Sequence, residues 1–508
     1  MYNDETINKQ PLQTRTLFGV LLVGAFVAFL NQTLINVALP QMMHHLQISA
    51  TTADWLTTIF MLVNGIVIPV TAYLMDRFTT RQLYITSMGL FTVGTLLCGI
   101  APNFSLLLVG RVVQAAGAGV LFPLIINIIF TVFPAEKRGS AMGILGIAMN
   151  FAPAIGPTLS GWIVEAHSWR VLFFIILPIA FVDFLAAIFL MKNVSESSRP
   201  VLDSLGIVLS TIGFGGILYG FAMGGTNGWT DPVVLTTFIV GGVSLVLFVW
   251  RQWVVNHPIL EFRIFRYPMF TLTTIINVIV TMALYSGMIL MPIYMQNVRG
   301  FSSLLSGLML LPGGIVMGIM SPITGKLFDK IGAKWLSVVG LAITLMTTYQ
   351  LADLHTDTTF LYVTVIYTIR MFGISILMMP IFTAGLNELP LSLNRYGTAM
   401  VNTLRMIAGA LGMAFFVSIM TNQGMTHFKA LVIRERILPT DKVHMVLAVN
   451  QGTVMGINDA FIVATVLTAV AFVLSFFIRK TSPMPDTITN RSKAKRTKSL
   501  PAPILTKK

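Results

Sequence analysis

Tyr73-Leu74-Met75-Asp76-Arg77 and Lys326-Leu327-Phe328-Asp329-Lys330 are the two segments on which the fold turns. Each is a short polar turn, an acid beside a base, set between long apolar runs. Their aspartates are 253 residues apart. Two further echoes keep nearly the same offset. Arg111 with Pro123 matches Arg370 with Pro380, at 259 and 257 residues, and Gly139-Ser140-Ala141-Met142 matches Gly397-Thr398-Ala399-Met400 at 258. Three echoes in the same order imply a chain built from two similar halves.

Outward from these turns the chain is apolar. Of 508 residues, 55% are hydrophobic and 10% are charged, against roughly 25% charged in soluble domains. A larger core cannot absorb that deficit, because soluble chains split into domains as they grow and keep a wet surface. The solvent is therefore lipid. A crossing needs about 18–25 apolar residues, and fourteen runs qualify: roughly 16–38, 52–74, 83–101, 104–127, 141–164, 171–191, 204–224, 233–254, 269–292, 304–324, 335–352, 360–384, 398–421 and 458–479. Backbone amides find no water in a bilayer, so these runs are expected to be helices. The expected fold is an all-α membrane protein with fourteen transmembrane helices grouped as six, two and six. Its parts are an N-terminal segment 1–15, a six-helix bundle 16–191, two inserted helices 192–254 and a linker 255–268. A second six-helix bundle, 269–479, carries a polar loop at 422–456, and a basic tail occupies 480–508. Parallel halves of this kind place a substrate path at their interface.

Charge gives the expected orientation. With the N-terminus in the cytoplasm, 24 of the 33 Lys and Arg lie inside and six outside, and Arg111, Arg370 and Arg405 fall within runs. That is the positive-inside pattern, and an even number of crossings makes both termini cytoplasmic. The net charge of +14 does not point to nucleic acid, since nine basic residues crowd into 479–508, beyond the last apolar run. Such a tail suits an anionic lipid surface. The apolar run from Thr16 is longer than a signal-peptide core and reads as a retained first helix. The single cysteine, Cys98, allows no internal disulfide and no Cys-based metal centre. No Gly-x-x-x-x-Gly-Lys-Ser/Thr loop and no His-Glu-x-x-His motif occurs, so ATP-driven transport and that type of zinc chemistry are disfavoured. No cofactor, metal or nucleic-acid partner is expected, and no enzyme activity.

Several motifs carry a family resemblance. The loop signature is almost complete in Gly325-Lys326-Leu327-Phe328-Asp329-Lys330-Ile331-Gly332-Ala333-Lys334, and degenerate around Leu74, Asp76, Arg77 and Arg81, where Ala72 and Thr79 replace glycines. Gly110-Arg111-Val112-Val113-Gln114 is followed by Gly117 and Gly119. The fifth run holds Gly146, Pro153-Ala154-Ile155-Gly156-Pro157 and Gly161. Ser168-Trp169-Arg170, Leu202 to Gly206 and Leu30 to Pro40 add to the set. Together they resemble the major facilitator superfamily, in particular its fourteen-helix drug:proton antiporter branch (the EmrB/QacA type), over nearly all the helical chain. The resemblance implies a proton-driven exporter of amphiphilic drugs, working by alternating access as a multi-pass protein of a bacterial inner (plasma) membrane, with lipid, protons and amphiphilic small molecules as its partners and a monomer as its working unit. It implies a conformational latch at Asp76, Arg77, Arg81, Asp329, Lys330 and Lys334. An antiporter motif is implied at Gly146, Pro153, Gly156, Pro157 and Gly161, and a coupling role for Arg111.

Physical reasons stand beside the resemblance. A carboxylate at a tight turn can accept from a neighbouring helix N-terminus or an arginine and hold two bundles together. Gly156-Pro157 interrupts the backbone ladder, and Gly146 and Gly161 permit close helix approach. A buried guanidinium costs at least about 2.5 kcal/mol by insertion scales, so Arg111 and Arg370 are expected to face a cavity or a partner. Arg405 lies nearer the cytoplasmic end, within reach of snorkelling. The branch carries an acid in its first helix, where this chain has Asn31, so the usual proton carrier is missing. Asp183, well inside the sixth run, or Asp54, near a helix end, is the expected replacement. Asn31, Gln32, Asn36, Asn150, Phe151, Tyr285, Tyr294, Gln296, Arg370 and Arg405 are the candidate cavity residues. Two rival readings stay open: an exporter of one metabolite, lipid or peptide with incidental drug efflux, and, remotely, a proton-pump subunit. The latter needs intramembrane lysines in series, and no lysine falls inside a run.

Overall fold

A computed structural model describes residues 11–48, 50–194, 203–255, 258–438 and 441–479. The basic tail and residues 1–10 lie outside it. The described chain is all-helical: α1 (Pro11–Leu46), α2 (Ala50–Arg77), α3 (Thr80–Ile100), α4 (Phe104–Val132), α5 (Ala135–Ala166), α6 (Arg170–Leu190), α7 (Ser204–Asn227), α8 (Pro232–Val254), α9 (Pro268–Ile293), α10 (Ser303–Ile331), α11 (Ala333–Gln350), α12 (Phe360–Asn387), α13 (Asn394–Glu435) and α14 (Lys442–Ser475). Twelve of these are long and apolar enough to cross a membrane. The two others are α5, whose apolar residues alternate with Gly, Pro, Ser and Asn, and α11, only 18 residues long with Lys334 near its start. The linker holds a 3₁₀ turn, Phe262–Arg266, and α9 ends beyond Pro292 in a π-helical turn, Tyr294–Val298.

Helix starts follow from their capping residues. Thr79 and Gln82 form a capping box on α3, and Asn103, Asp203, Asp231, Ser302, Thr359 and Asp441 each accept a backbone amide of the helix they open. Large apolar side chains remain on the outside, as on α8, where Val246, Trp250, Trp253 and Val254 are exposed. In a soluble protein such a surface would drive aggregation, whereas in lipid it is the expected exterior.

The internal repeat reappears as a repeat of helix packing. In the first half α1 packs on α5 and α6, α2 on α4, and α3 on α4 and α6. In the second, α9 packs on α13 and α14, α10 on α12, and α11 on α12 and α14, the same pattern shifted by eight helices. Two core clusters accompany the halves. One is centred on α1 to α6 (Leu34, Tyr84, Phe91, Ile125, Phe130), the other on α9 to α14 (Leu290, Ile374, Leu377, Phe416, Phe461). Between the halves the pairs α5–α10 and α2–α13 are related by the same shift but are built differently. A β-carbon added at Gly325 would meet Gly143 Cα at 2.9 Å, and one at Gly143 would meet Pro322 Cα at 3.0 Å, so α5 and α10 touch almost backbone to backbone. On the other side α7 packs against both α2 and α13, and Trp229 Nε1 donates to Ser418 Oγ of α13 at 3.0 Å.

Asp203 anchors the base of the inserted pair. Its carboxylate takes Arg251 Nε and Nη2, each at 2.7 Å, and the Gly206 amide at 2.9 Å, while Gln252 Oε1 accepts the amides of Ile259 and Leu260. Burial opposes the charge on Asp203, but Arg251, the Gly206 amide and Gln252 outweigh it and hold this carboxyl below the usual carboxylate range.

The polar segment 422–456 requires a correction. It is not a loop: α13 continues to Glu435 and α14 begins at Lys442. Small residues make the pairing possible, since a β-carbon at Gly456 would meet Gly424 Cα at 2.9 Å and one at Gly452 would meet Gly424 O at 2.8 Å. His427 Nε2 and Asp459 Oδ2, 2.8 Å apart, tie the two helices together. Polarity alone suggested a loop because Asn, Gln, Thr, His and charged residues interrupt the apolar residues of these helix ends, many of which stay exposed, Ile433 and Val443 among them.

Candidate functional site

The repeated turns lie at one end of the bundle, where polar side chains join the two halves. Asp329, at the end of α10, accepts the Gly139 amide at 3.0 Å, the Ser140 amide at 2.9 Å and the Ser140 hydroxyl at 2.5 Å, all near the start of α5. Asp76, at the end of α2, forms an ion pair with Arg395 and accepts the Tyr396 hydroxyl at 3.0 Å, both at the start of α13. Each repeated aspartate therefore reaches the opposite half, at equivalent helices. A third connection runs from Arg138 Nη1 to Asn387 Oδ1 of α12 at 3.1 Å, while its other nitrogens bond the carbonyls of Phe130 and Phe133. The sequence reading missed Arg395, Tyr396 and Arg138. The signal was there: both repeats carry an arginine just ahead of Gly139-Ser140 and Gly397-Thr398.

Of the basic residues grouped with the aspartates, Arg81 acts within the first half. Arg81 bonds the Ile188 carbonyl at 2.6 Å and Asn193 at 3.2 Å, inside the first half. Arg77 and Lys330 are exposed and Lys334 is half-exposed.

The three intramembrane arginines part company. Arg111 is fully enclosed: Nε donates to Leu56 O at 3.1 Å, Nη1 to Gln114 Oε1 at 2.8 Å, and the guanidinium lies 4.1 Å above the Phe60 ring. Gln114 in turn donates to Thr95 at 2.7 Å. This network braces α2, α3 and α4 within one half, so Arg111 faces partners and not a cavity. Arg370 is its counterpart, enclosed among Thr348 at 3.0 Å, Ser286 at 3.3 Å and the Ala283 carbonyl. Arg405 is different. It lies three turns into α13, half-buried, with no hydrogen bond or ion pair to any described residue, and the Tyr285 phenol is near enough to interact with it electrostatically. Eleven residues of helix, about 16 Å, separate Arg405 from the start of α13.

Asp183 is buried between α1, α3 and α6, with Tyr84 as its polar partner. Tyr84 Oη lies 2.8 Å from Asp183 Oδ2 and 3.0 Å from the Val20 carbonyl of α1. A phenol has one proton to give. Both contacts are hydrogen bonds only when Asp183 is protonated and donates to Tyr84, which then donates to Val20. An ionised Asp183 takes the Tyr84 proton and leaves Val20 O without it. On its other side Asp183 lines a lateral groove of about 620 Å³ with Thr16, Gly19, Val20, Pro178 and Val182.

The remaining cavity candidates scatter. Asn31 is buried, its amide nitrogen without a partner, and Gln32 beside it is half-buried. Phe151 is half-buried against α10, 3.0 Å from where a β-carbon on Gly318 would stand. Tyr294 is fully buried and gives its hydroxyl to the His355 carbonyl at 2.6 Å, while Gln296 is exposed at the far end of α9. Gly146 packs on the Ser321 side chain and Gly156 on Thr33 of α1; Gly161 is half-buried. Asn36, Asp54, Asn150, Pro153 and Pro157 lie in α1, α2 and α5, but their side chains fall outside the described residues. No cluster of three or more His, Cys, Asp or Glu that could hold a metal occurs among the described residues.

Comparison with known proteins agrees with the architecture. The chain is 47% identical to an uncharacterized MFS-type transporter of Bacillus subtilis (strain 168), YhcA, covering 91% of this chain and 92% of that one. It is 42% identical to the lincomycin resistance protein LmrB of the same organism, over 91% and 95%. Among solved structures, the human organic anion transporter MFSD10 shares the fold at a TM-score of 0.62 and 12% identity, covering 90% of this chain and all of that one. The profile of the Major Facilitator Superfamily matches residues 21–413, and the chain belongs to that superfamily.

Proposed function

We propose that this transporter is a proton-driven exporter of amphiphilic drugs, in the fourteen-span antiporter branch, working as a monomer in a bacterial plasma membrane with both termini in the cytoplasm. The observation that carries the reading is the pair of bridges made by the repeated aspartates. Asp76 and Asp329 each grip the opposite half through polar bonds at one end, and such bonds can break and re-form as the halves rock. Alternating access follows: with these latches closed the path is sealed at the cytoplasmic end, and with them open it is reached from the cytoplasm. Relatives named for lincomycin resistance, matched along more than 90% of this chain, support drug efflux over other cargo.

Asp183 is the proton carrier in this reading. Its protonation decides whether Tyr84 bonds the α1 backbone or the carboxylate, so the proton acts on α1, which packs against α5, itself zipped to α10 across the interface. Arg111 and Arg370 hold their bundles rigid while this happens.

Everted membrane vesicles with a respiration-generated pH gradient test the proposal. Lincomycin should dissipate the gradient only in vesicles containing the protein, and Asp183→Asn should abolish the effect while leaving the amount of protein unchanged. A gradient untouched by lincomycin and by a panel of amphiphilic drugs overturns proton-driven drug export. Normal pumping by Asp183→Asn moves the proton to another acid, Asp54 first.

A further inference from the structure

We infer that Arg405, with Tyr285 beside it, binds the acidic group of an amphiphilic ligand, a carboxylate, sulfonate or phosphate; the inference rests on the transport reading above and names the ligand class for that path. The contrast among the intramembrane arginines carries it. Arg111 and Arg370 each donate to acceptors from their own half, with only Nη1 of Arg370 left over, whereas Arg405 has no hydrogen bond or ion pair among the described residues. A guanidinium within an apolar span is unfavourable unless something answers its charge. Among the described residues, the acids of these helices that could do so are engaged elsewhere: Asp183 with Tyr84, Asp76 with Arg395, Asp329 with α5, and Glu388 with the Phe270 amide at 2.7 Å. An anion supplied from outside the chain completes the pair.

The surroundings suit that role. Leu404 and Ile407, on either side of Arg405 in sequence, pack against the cluster that joins α1–α6 to Phe270, Met379 and Val401 of the second half, and α13 packs on α2 and α4, so Arg405 stands on a helix that lines the interface between the halves. One turn farther along α13, Gly409 leaves room for the Tyr285 ring, which a β-carbon there would meet at 2.9 Å. Arg405 and Tyr285 are both half-exposed. Two turns back on the same face of α9, Asn277 Oδ1 is buried without a partner, and Thr398 Oγ1 is likewise unpartnered two turns back on α13. A fork-shaped cation flanked by a phenol, with apolar side chains around it, fits a flat acidic group attached to an apolar body.

Equilibrium binding of a matched fluorescent pair, dansyl-leucine and its amide, tests this on the full-length protein in phosphatidylcholine nanodiscs. The two probes differ only in the carboxylate. Wild type should prefer dansyl-leucine by about tenfold, the worth of one charge-assisted hydrogen bond. Arg405→Gln should bind both alike while keeping the wild-type affinity for the amide, which shows that it is folded, and Arg405→Lys should keep part of the preference. Competition by added phosphatidylglycerol, lost in Arg405→Gln, supports the same chemistry and identifies a lipid headgroup as its source. Wild type binding the two probes alike or binding neither, or a preference that survives in Arg405→Gln, overturns the inference. The measurement needs no gradient: vesicles that fail to pump while the preference persists overturn the proton-driven reading alone.

Discussion

Replacing Asp329 by asparagine removes the latch with the least change in shape. The carboxylate takes two bonds on Oδ2, from the Ser140 amide at 2.9 Å and the Ser140 hydroxyl at 2.5 Å, and one on Oδ1 from Gly139 at 3.0 Å. An amide that turns its oxygen toward Ser140 keeps those two acceptor contacts without the charge and aims its own donor at the Gly139 amide hydrogen. Bonds to a charged group contribute about 1.5–3 kcal/mol each. Asp329 is half-exposed, so water replaces part of what is lost. About 2 kcal/mol should remain, a shift of roughly 30-fold in the equilibrium between joined and separated ends. Spin labels at Phe78 and Ile331, exposed at this end on opposite halves, report the separation by pulsed dipolar spectroscopy. The one native cysteine, Cys98, is buried and does not compete for label. The ratio of long to short distances should rise about 30-fold in Asp329→Asn, and less in Ser140→Ala, which removes one bond. Superimposable distributions for wild type and Asp329→Asn would refute the latch.

Gly325→Ala places a β-carbon 2.9 Å from Gly143 Cα and closer still to the Gly139 carbonyl, so α5 and α10 must part. Overpacking of this kind costs about 1–3 kcal/mol; the thermal unfolding midpoint should fall and the same labels should move apart. Arg111→Ala orphans Leu56 O and Gln114 Oε1, at about 1–3 kcal/mol each. It should cut the yield of monodisperse solubilised protein, and a wild-type yield with selective loss of transport would show that Arg111 acts on the path instead. Asp203→Asn should lower the unfolding midpoint at neutral pH. The carboxyl of Asp203 is held below its ordinary range, so its contribution is present at neutral pH and is lost as acid protonates it; the gap between mutant and wild type should narrow on acidification, and a gap independent of pH would be contrary to this.

The halves, the helical runs and the chemistry-bearing turns were legible because lipid imposes a crude rule, and because a repeat is written twice. The partners were less legible. Asp76 and Asp329 could be recognised in their turns, but Arg395 and Tyr396 lie more than 300 residues from Asp76, and nothing local marks that contact. For the intramembrane arginines the sequence left a cavity and a partner as equal alternatives. A charge in an apolar run signals a partner or a path, and only the surrounding side chains decide which. Leu56 O and Gln114 close around Arg111, while α13 offers nothing comparable to Arg405. Asp183 could be read as unusual, but its bond to Tyr84 lay hidden because α3 and α6 are brought together by packing that no spacing reveals.

The 42-residue α13 has a mechanical consequence. At 1.5 Å per residue it is about 63 Å long, twice the roughly 30 Å of hydrocarbon it has to cross. With α14 clamped to it through Gly424, Gly456 and the His427–Asp459 pair, it forms a stiff lever fixed at its root to Asp76. Any tilt of the root is multiplied along the shaft, so a swing of a few degrees carries the tip near Glu435 over several ångströms, on the order of one helical pitch. A fluorophore at that tip would register opening of the distant Asp76 contact more sensitively than one beside it.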